Sequence, residues 1–188
     1  MEVGNLSPRE ATELFLRCSR TENLGENIAK EVTTIVGELG CLALTITLAG
    51  SYVAATDHIG VQDFLSRYRV RRSEVLKRKA TRNAHNYQES VLTTWEMTYA
   101  AISTKCPAAV EMLSLLAFLS NNDILLQMFG PSASVRNTAS STEWRGVVSP
   151  DVPLEEVVDE VFETLAKYSL VKWSESSGAY SMHKLVHV

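Results

Sequence analysis

The stretch LVKWSESSGAYSMHKLVHV, Leu170–Val188, decides how the chain is interpreted, because its periodicity differs from everything before it. LVKWS and AYSMH are short runs rich in apolar and aromatic residues, and ESSG lies between them. Gly178 can adopt the positive φ that tight hairpin turns require. The stretch therefore predicts a β-hairpin followed by the start of a helix.

The segment before the hairpin, LEEVVDEVFETLAKYSL, predicts an amphipathic helix. Its apolar stripe consists of Val157, Val161, Leu165 and Tyr168. Helices followed by a small hairpin and a further helix start are the order of elements in a winged helix. We therefore expect a winged-helix-like end from residue 154 to residue 188.

The first 129 residues predict a helical bundle. LSPREATELFLRC has a helix start with Ser7 as N-cap, Pro8 in the first turn and Glu10 completing a capping box. NIAKEVTTIVGELG has helical periodicity and is followed at once by an apolar segment, so Gly40 is expected to end one helix just before a buried one. The predicted fold class is mostly α: a helical bundle followed by a winged-helix-like domain with a small β-hairpin.

Three further segments complete the bundle. VQDFLSRYRVRRSEVLKRKATR is strongly basic, ESVLTTWEMTYAAIS predicts a helix, and PAAVEMLSLLAFLS predicts an almost wholly apolar and hence buried helix. The stretch from residue 130 to residue 153 is rich in Ser, Pro, Gly and Asn and is expected to be a flexible loop, with Trp144 as its anchor.

Composition indicates a cytoplasmic, soluble protein. Of the 188 residues, 45% are hydrophobic and 21% are charged, and the net charge of -4 gives no general attraction to nucleic acid or anionic membrane. The three cysteines form no C-x-x-C pair, which suits a reducing compartment. Neither a leader peptide nor a membrane span is predicted.

The motifs of catalytic sites are missing from the sequence. There is no G-x-x-x-x-G-K-[ST] loop to cradle a triphosphate and no nucleophile–base arrangement. His183 and His187 are four residues apart, but the H-E-x-x-H glutamate and a third ligand are missing, so no metal site is expected. The chain is expected not to be an enzyme on its own.

Five motifs, weak individually, resemble one family through their order: LSPREATELF, ELGCLALTITLAG, VLTTWEMTY, AVEMLSLLAFLS and LAKYSLVKW…GAYSMHKLV. The family is the NB-ARC class of STAND nucleotide-switch proteins, especially the fungal type followed by tetratricopeptide repeats. In that family a P-loop ATPase core precedes a helical domain and a winged helix, and ADP is held between all three. Exchange to ATP releases the winged helix and permits oligomerisation.

The resemblance implies a set of nucleotide-binding residues. Gly40 to Leu44 resemble the family's G-x-L-P-L turn, which packs on adenine, so Gly40, Leu42, Ala43 and Leu44 are the candidates. Ala43 stands where the family has proline, and it lacks the fixed backbone and flat ring of that residue. The motif around Met182 resembles the family's methionine–histidine motif, which makes His183 the candidate donor to the β-phosphate of ADP.

The resemblance also implies domain boundaries and partners. Residues 1–22 would end the nucleotide-binding region, residues 23–129 form the helical domain, and residues 154–188 form a truncated winged helix. The chain would be the regulatory, non-catalytic part of a STAND NTPase. ADP or ATP would be bound in an intact parent protein, with no cofactor expected for this chain alone. The partner would be an upstream P-loop domain or a related receptor protein, and oligomerisation is compatible with this role.

The basic segment leaves other functions open. Its arginines and lysines could form a solvated helix face, a surface for a partner protein, or phosphate contacts to nucleic acid. The acidic helix before the hairpin argues against a DNA-binding winged helix, because its carboxylates would repel phosphate. The main alternative to the nucleotide switch is therefore a stand-alone protein-interaction module.

Overall fold

The computed structural model describes residues 5–22, 25–79, 86–129, 154–184 and 186. Within these residues the chain forms seven α-helices and one antiparallel hairpin. The helices are α1 (Pro8–Ser19), α2 (Glu26–Glu38), α3 (Ala43–Ala55), α4 (Val61–Lys79), α5 (Asn86–Lys105), α6 (Pro107–Leu116) and α7 (Leu154–Lys167), and the strands are β1 (Val171–Ser174) and β2 (Ala179–Met182). This confirms the predicted fold class. No helix in the described ranges is both long enough and apolar enough to cross a bilayer.

The chain divides into two compact units, Met1–Ala100 and Ala101–Val188. The division falls within α5, whereas the sequence suggested boundaries after residues 22, 129 and 153. That family-based division stays a prediction. The expected loop at 130–153, with Trp144, lies outside the described residues.

In the first unit, the start of α1 has the predicted capping box. The Glu10 amide donates to Ser7 Oγ at 3.3 Å, and the Ser7 amide donates to the Glu10 carboxylate at 2.9 Å. The hydrogen bonds from Ser7 lower the pKa of Glu10. The cap fixes where α1 begins and thereby which of its faces is buried.

The core of the first unit lies where α1 crosses α3. Phe15 is fully buried, and its ring lies 6.4 Å from that of Phe64 on α4. Phe64 in turn contacts Tyr52 and Tyr68, each with ring centroids 5.9 Å away. These tilted and stacked rings join α1, α3 and α4 into one apolar cluster.

In the second unit, the hairpin gains a third strand-like segment. β1 and β2 pair with Trp173 opposite Tyr180, and Gly178 takes a φ of +59° in the turn. Ile124 forms an antiparallel bridge with Tyr180 on the other edge of β2. Because Ile124 follows α6 and the hairpin follows α7, the order of these elements is that of a winged helix.

The predicted burial of α6 is wrong in part. Met112 and Leu116 are buried, but Leu113 is only half-buried, Ala117 is exposed, and Phe118 is 90% exposed. The helix ends at Leu116, and only the stripe through Met112 and Leu116 packs within the unit. An almost wholly apolar sequence therefore does not lead to burial on all sides.

The helix expected after the hairpin falls mostly outside the described residues. Of those that are described, His183, Lys184 and Val186 form a turn, in which the Val186 amide donates to the His183 carbonyl at 2.8 Å.

Candidate functional site

The turn between α2 and α3 has an unusual backbone. Gly40 and Cys41 both have positive φ, +72° and +53°. The Cys41 amide donates to the Val36 carbonyl at 3.0 Å, and the Cys41 carbonyl accepts from the Leu6 amide at 2.9 Å. Glycine is suited to the first of these positions because it has no Cβ to strain the left-handed conformation. The turn is thus held in place from both sides and leads directly into α3.

The side chains that follow this turn differ in accessibility. Leu42 is 9% exposed, Leu44 is half-buried and Ala43 is exposed. Leu42 is the N-cap of α3, and its own side chain makes no capping hydrogen bond. An exposed alanine and a half-buried leucine give this helix start a small accessible apolar surface, and contact with adenine stays a prediction. Ala43 and Leu44 fit this contact, whereas Leu42 serves mainly the core.

His183 follows β2 in the second unit and its side chain is exposed. The residue before it, Met182, is 4% exposed and anchors the end of the strand. The Met182 amide donates to the Asn121 carbonyl at 2.7 Å, and Asn121 Nδ2 donates to the Met182 carbonyl at 3.2 Å. His183 is therefore an accessible imidazole on a backbone held by two hydrogen bonds.

The structure places the five candidate residues in both units. Gly40, Leu42, Ala43 and Leu44 lie together in the first unit, and His183 belongs to the second. An accessible apolar turn suits a base, and an exposed imidazole can donate to a phosphate oxygen. The sequence contains no loop to wrap phosphates, and the ADP-binding roles of these residues stay predictions.

No three His, Cys, Asp or Glu side chains in the described ranges are grouped so that they could hold a metal ion. His187, the second histidine of the pair considered from the sequence, lies outside those ranges.

The basic helix α4 makes ion pairs that its sequence did not reveal. Arg69 contacts Glu38 of α2 at 2.6 Å, and Arg71 contacts Glu96 of α5 at 3.0 Å. The Glu38 carboxylate, which accepts hydrogen bonds from Arg69, raises the pKa of that guanidinium. These arginines therefore link α4 to its neighbouring helices within the first unit. Sequence reasoning missed the pairs because the acidic partners lie on other helices.

No protein-family model matches the chain, and no curated protein matches it either.

Proposed function

We propose that this chain is the helical and winged-helix part of a nucleotide switch of the NB-ARC class. In this role it clamps ADP and couples the nucleotide state to domain movement and oligomerisation, without catalysing hydrolysis itself. One observation carries the proposal: His183 directly follows the strand that Ile124 and β1 flank, in a unit with winged-helix order. The family motif that His183 resembles occupies this place.

Different residues of the chain would contact the base and the phosphates of ADP. Ala43 and Leu44 offer apolar contact to the base at the start of α3, and His183 donates a hydrogen bond to a phosphate oxygen. When bound, ADP supplies the adenine and the diphosphate that these residues would recognise. The phosphates themselves need a P-loop, which an upstream domain or a related receptor protein would supply.

The departure at Ala43 weakens one of these contacts. Proline would hold the backbone at a fixed φ and present a ring face to the base, whereas alanine offers a single methyl group. We expect the Ala43→Pro variant to bind ADP more tightly than the natural sequence in a protein that contains the P-loop, because proline is tolerated in the first turn of a helix.

The test uses the natural polypeptide that contains both this chain and a P-loop. Calorimetry should show that the His183→Ala variant binds ADP about tenfold more weakly than the natural protein. This change corresponds to the loss of about one charge-assisted hydrogen bond. Lys184→Ala, the exposed neighbour, is the matched control and should bind like the natural protein. Equal affinity of all three proteins would refute the role of His183.

A second candidate function, a stand-alone protein-interaction module, is favoured by exposed apolar side chains in the second unit. Phe118 is 90% exposed, Met128 is 55% exposed and Trp173 is 44% exposed. Large exposed apolar residues are typical of surfaces that bind other proteins. Under this alternative, the nucleotide residues above would reflect ancestry.

A further inference from the structure

The hairpin of the second unit presents two aromatic side chains next to each other. Trp173 and Tyr180 are cross-strand partners, so their rings lie on the same face of the hairpin. The ring centroids are 4.9 Å apart and the ring planes are inclined at 60°. Trp173 is 44% exposed and Tyr180 is half-buried. These two rings form an aromatic corner, and we infer that it docks an arginine-rich segment of a partner protein.

The helix that packs against the aromatic corner carries two exposed carboxylates. The Tyr180 ring lies 4.8 Å from the ring of Phe162 on α7. Asp159 lies three positions before Phe162, and Glu163 directly follows it. Asp159 and Glu163 are four residues apart and therefore neighbours on the helix surface, and both are exposed. The aromatic corner thus adjoins a helix edge with two negative charges.

The hydroxyl of Tyr180 senses these charges. Burial raises the pKa of Tyr180, and the carboxylates of Asp159 and Glu163 raise it further. Charges at the surface act on one another only over short distances, because salt and water screen them. Both carboxylates therefore lie near Tyr180. A segment that places one guanidinium on Trp173 would meet them with its next arginines.

The charge of the second unit sets the sign of the partner. Residues 101–188 contain ten Asp and Glu residues against six Lys and Arg residues, which accounts for the whole net charge of -4. Glu163 lies 3.0 Å from Lys167, but both side chains are more than half exposed. Such an exposed pair contributes little free energy, so an arriving cation can replace it. A basic partner is therefore attracted to this unit.

Arginine fits the aromatic corner better than other cations do. Its guanidinium group is planar, is weakly hydrated and stacks on aromatic faces, and tryptophan is the strongest aromatic partner for a cation. The same group can form two parallel hydrogen bonds to one carboxylate. Nucleic acid is disfavoured, because the carboxylates of α7 would repel its phosphates. The inference does not depend on the nucleotide switch, and it gives the second candidate function a class of partner.

The test measures binding of a labelled synthetic peptide to the full 188-residue chain by fluorescence anisotropy. The probe is a peptide of about ten residues in which arginine alternates with serine, in about 0.15 M salt. Two further peptides have lysine or leucine in place of every arginine. We expect a dissociation constant of about 0.1 mM for the arginine peptide and at least about threefold weaker binding of the lysine peptide.

Substitutions in the chain separate the two parts of the surface. Trp173→Leu should weaken binding of the arginine peptide at least about threefold, whereas Trp173→Phe, which keeps an aromatic face, should stay within about twofold. Asp159→Asn with Glu163→Gln should also weaken binding at least about threefold. Circular dichroism confirms that every variant is folded.

The matched control is Glu26→Gln with Glu111→Gln, which removes two carboxylates at exposed positions on α2 and α6. The net charge changes by the same amount as in the Asp159 and Glu163 variant, but the aromatic corner keeps its carboxylates. This control should stay within about 1.5-fold of the unaltered chain, because distant exposed charges are screened by salt.

Several results would overturn the inference. They are no binding of the arginine peptide at about 1 mM, equal binding of the lysine peptide, or unchanged affinity in either the Trp173→Leu or the carboxylate variant. Tighter binding of the leucine peptide would assign the aromatic corner to an apolar partner instead. Self-association in analytical ultracentrifugation that is lost in Trp173→Leu would assign it to a second copy of the chain. None of these results bears on ADP, so the nucleotide proposal is tested separately.

Discussion

At the scale of single residues, Gly50 sets how closely α1 and α3 approach. A Cβ at this position would lie 2.6 Å from Cys18 Cβ and 3.1 Å from the Phe15 carbonyl oxygen and the Ser19 amide nitrogen. Backbone atoms cannot move aside as a flexible side chain can. We predict that Gly50→Ala lowers the free energy of unfolding by about 2 kcal/mol, measured by urea denaturation.

The control for Gly50 is Gly37, which is also helical but has no atom within 4 Å of an added Cβ. Gly37→Ala should raise stability by about 0.5 to 1 kcal/mol, because alanine is the better helix former. Similar effects of the two substitutions would mean that the crossing of α1 and α3 is not close.

His183 is expected to contribute to function more than to stability. Its side chain is exposed, so His183→Ala should change the unfolding free energy of this chain by less than about 0.5 kcal/mol. The neighbouring Met182 is buried, and Met182→Ala should cost about 3 kcal/mol. A large loss in the histidine variant, measured by thermal or urea unfolding, would make His183 a structural residue.

Tyr68 gives a prediction about pH. Its hydroxyl is buried and has no hydrogen bond of good geometry to any described residue. Burial raises the pKa of Tyr68 above its ordinary 10.0, and the nearby Ser90 hydroxyl offsets part of this effect. A raised folded-state pKa means that stability is fully present below about pH 10 and is lost as the pH rises towards the folded-state value.

Tyr68→Phe should therefore leave stability at pH 7 within about 1 kcal/mol, since an unsatisfied buried hydroxyl is removed. Between about pH 9 and pH 11 the variant should lose less stability than the unaltered chain in urea unfolding. If the two proteins lose the same stability over this pH range, the folded state does not raise the pKa of Tyr68.

At the scale of elements, Asn121 holds the third strand-like segment against β2 through the hydrogen bond from Nδ2 to the Met182 carbonyl. Asn121→Ala should lower stability by about 1 kcal/mol, the usual worth of one such bond. Asn122→Ala is the control, because Asn122 is exposed and should change stability by less than about 0.5 kcal/mol. If the two variants have the same stability in thermal unfolding, the hydrogen bond from Asn121 Nδ2 does not stabilise the strand-like segment.

The sequence predicted those elements whose ends are set by local chemistry. The capping box at Ser7 and Glu10, the stop at Gly40 and the hairpin turn at Gly178 all depend on neighbouring residues, and all three are confirmed. The bridge at Ile124 was not predicted, because its partner Tyr180 lies 56 positions away. Long-range pairing leaves no local pattern.

Burial was harder to predict than helix position. Thr93, Thr94 and Thr98 of α5 are completely buried although a polar residue would be expected outside. Each donates its hydroxyl hydrogen to the carbonyl four residues earlier, at 2.7 to 3.0 Å, which satisfies it without solvent. Phe118 shows the reverse, an apolar side chain left exposed.

The candidate site was predicted from the family resemblance. The structure adds the backbone conformation and the exposure of its residues. Gly40 has a positive φ, and Ala43 and His183 are exposed. The nucleotide-binding roles of these residues stay predictions. The positive φ at Cys41 had no signal in the sequence, because cysteine is not a residue type that favours this conformation. The burial of Leu42 likewise depends on packing that no local pattern encodes.

At the scale of the whole molecule, the missing P-loop decides the ADP affinity that we expect of the isolated chain. The sequence has no P-loop, so we predict that the 188-residue chain alone binds ADP with a dissociation constant above about 1 mM. Isothermal titration calorimetry measures this directly. Micromolar binding would show that the chain holds the phosphates by residues other than those proposed.

The most direct test of the nucleotide-switch proposal is the mass and nucleotide content of the natural protein. The natural protein would be captured from extract with an antibody against this chain. Its transcript would be determined in parallel by long-read sequencing. The proposal predicts a P-loop in the same polypeptide or in a tightly bound partner, with about one ADP per copy of this chain released on denaturation. A natural protein that has no P-loop in its polypeptide or its bound partners, and that releases no nucleotide, would contradict it.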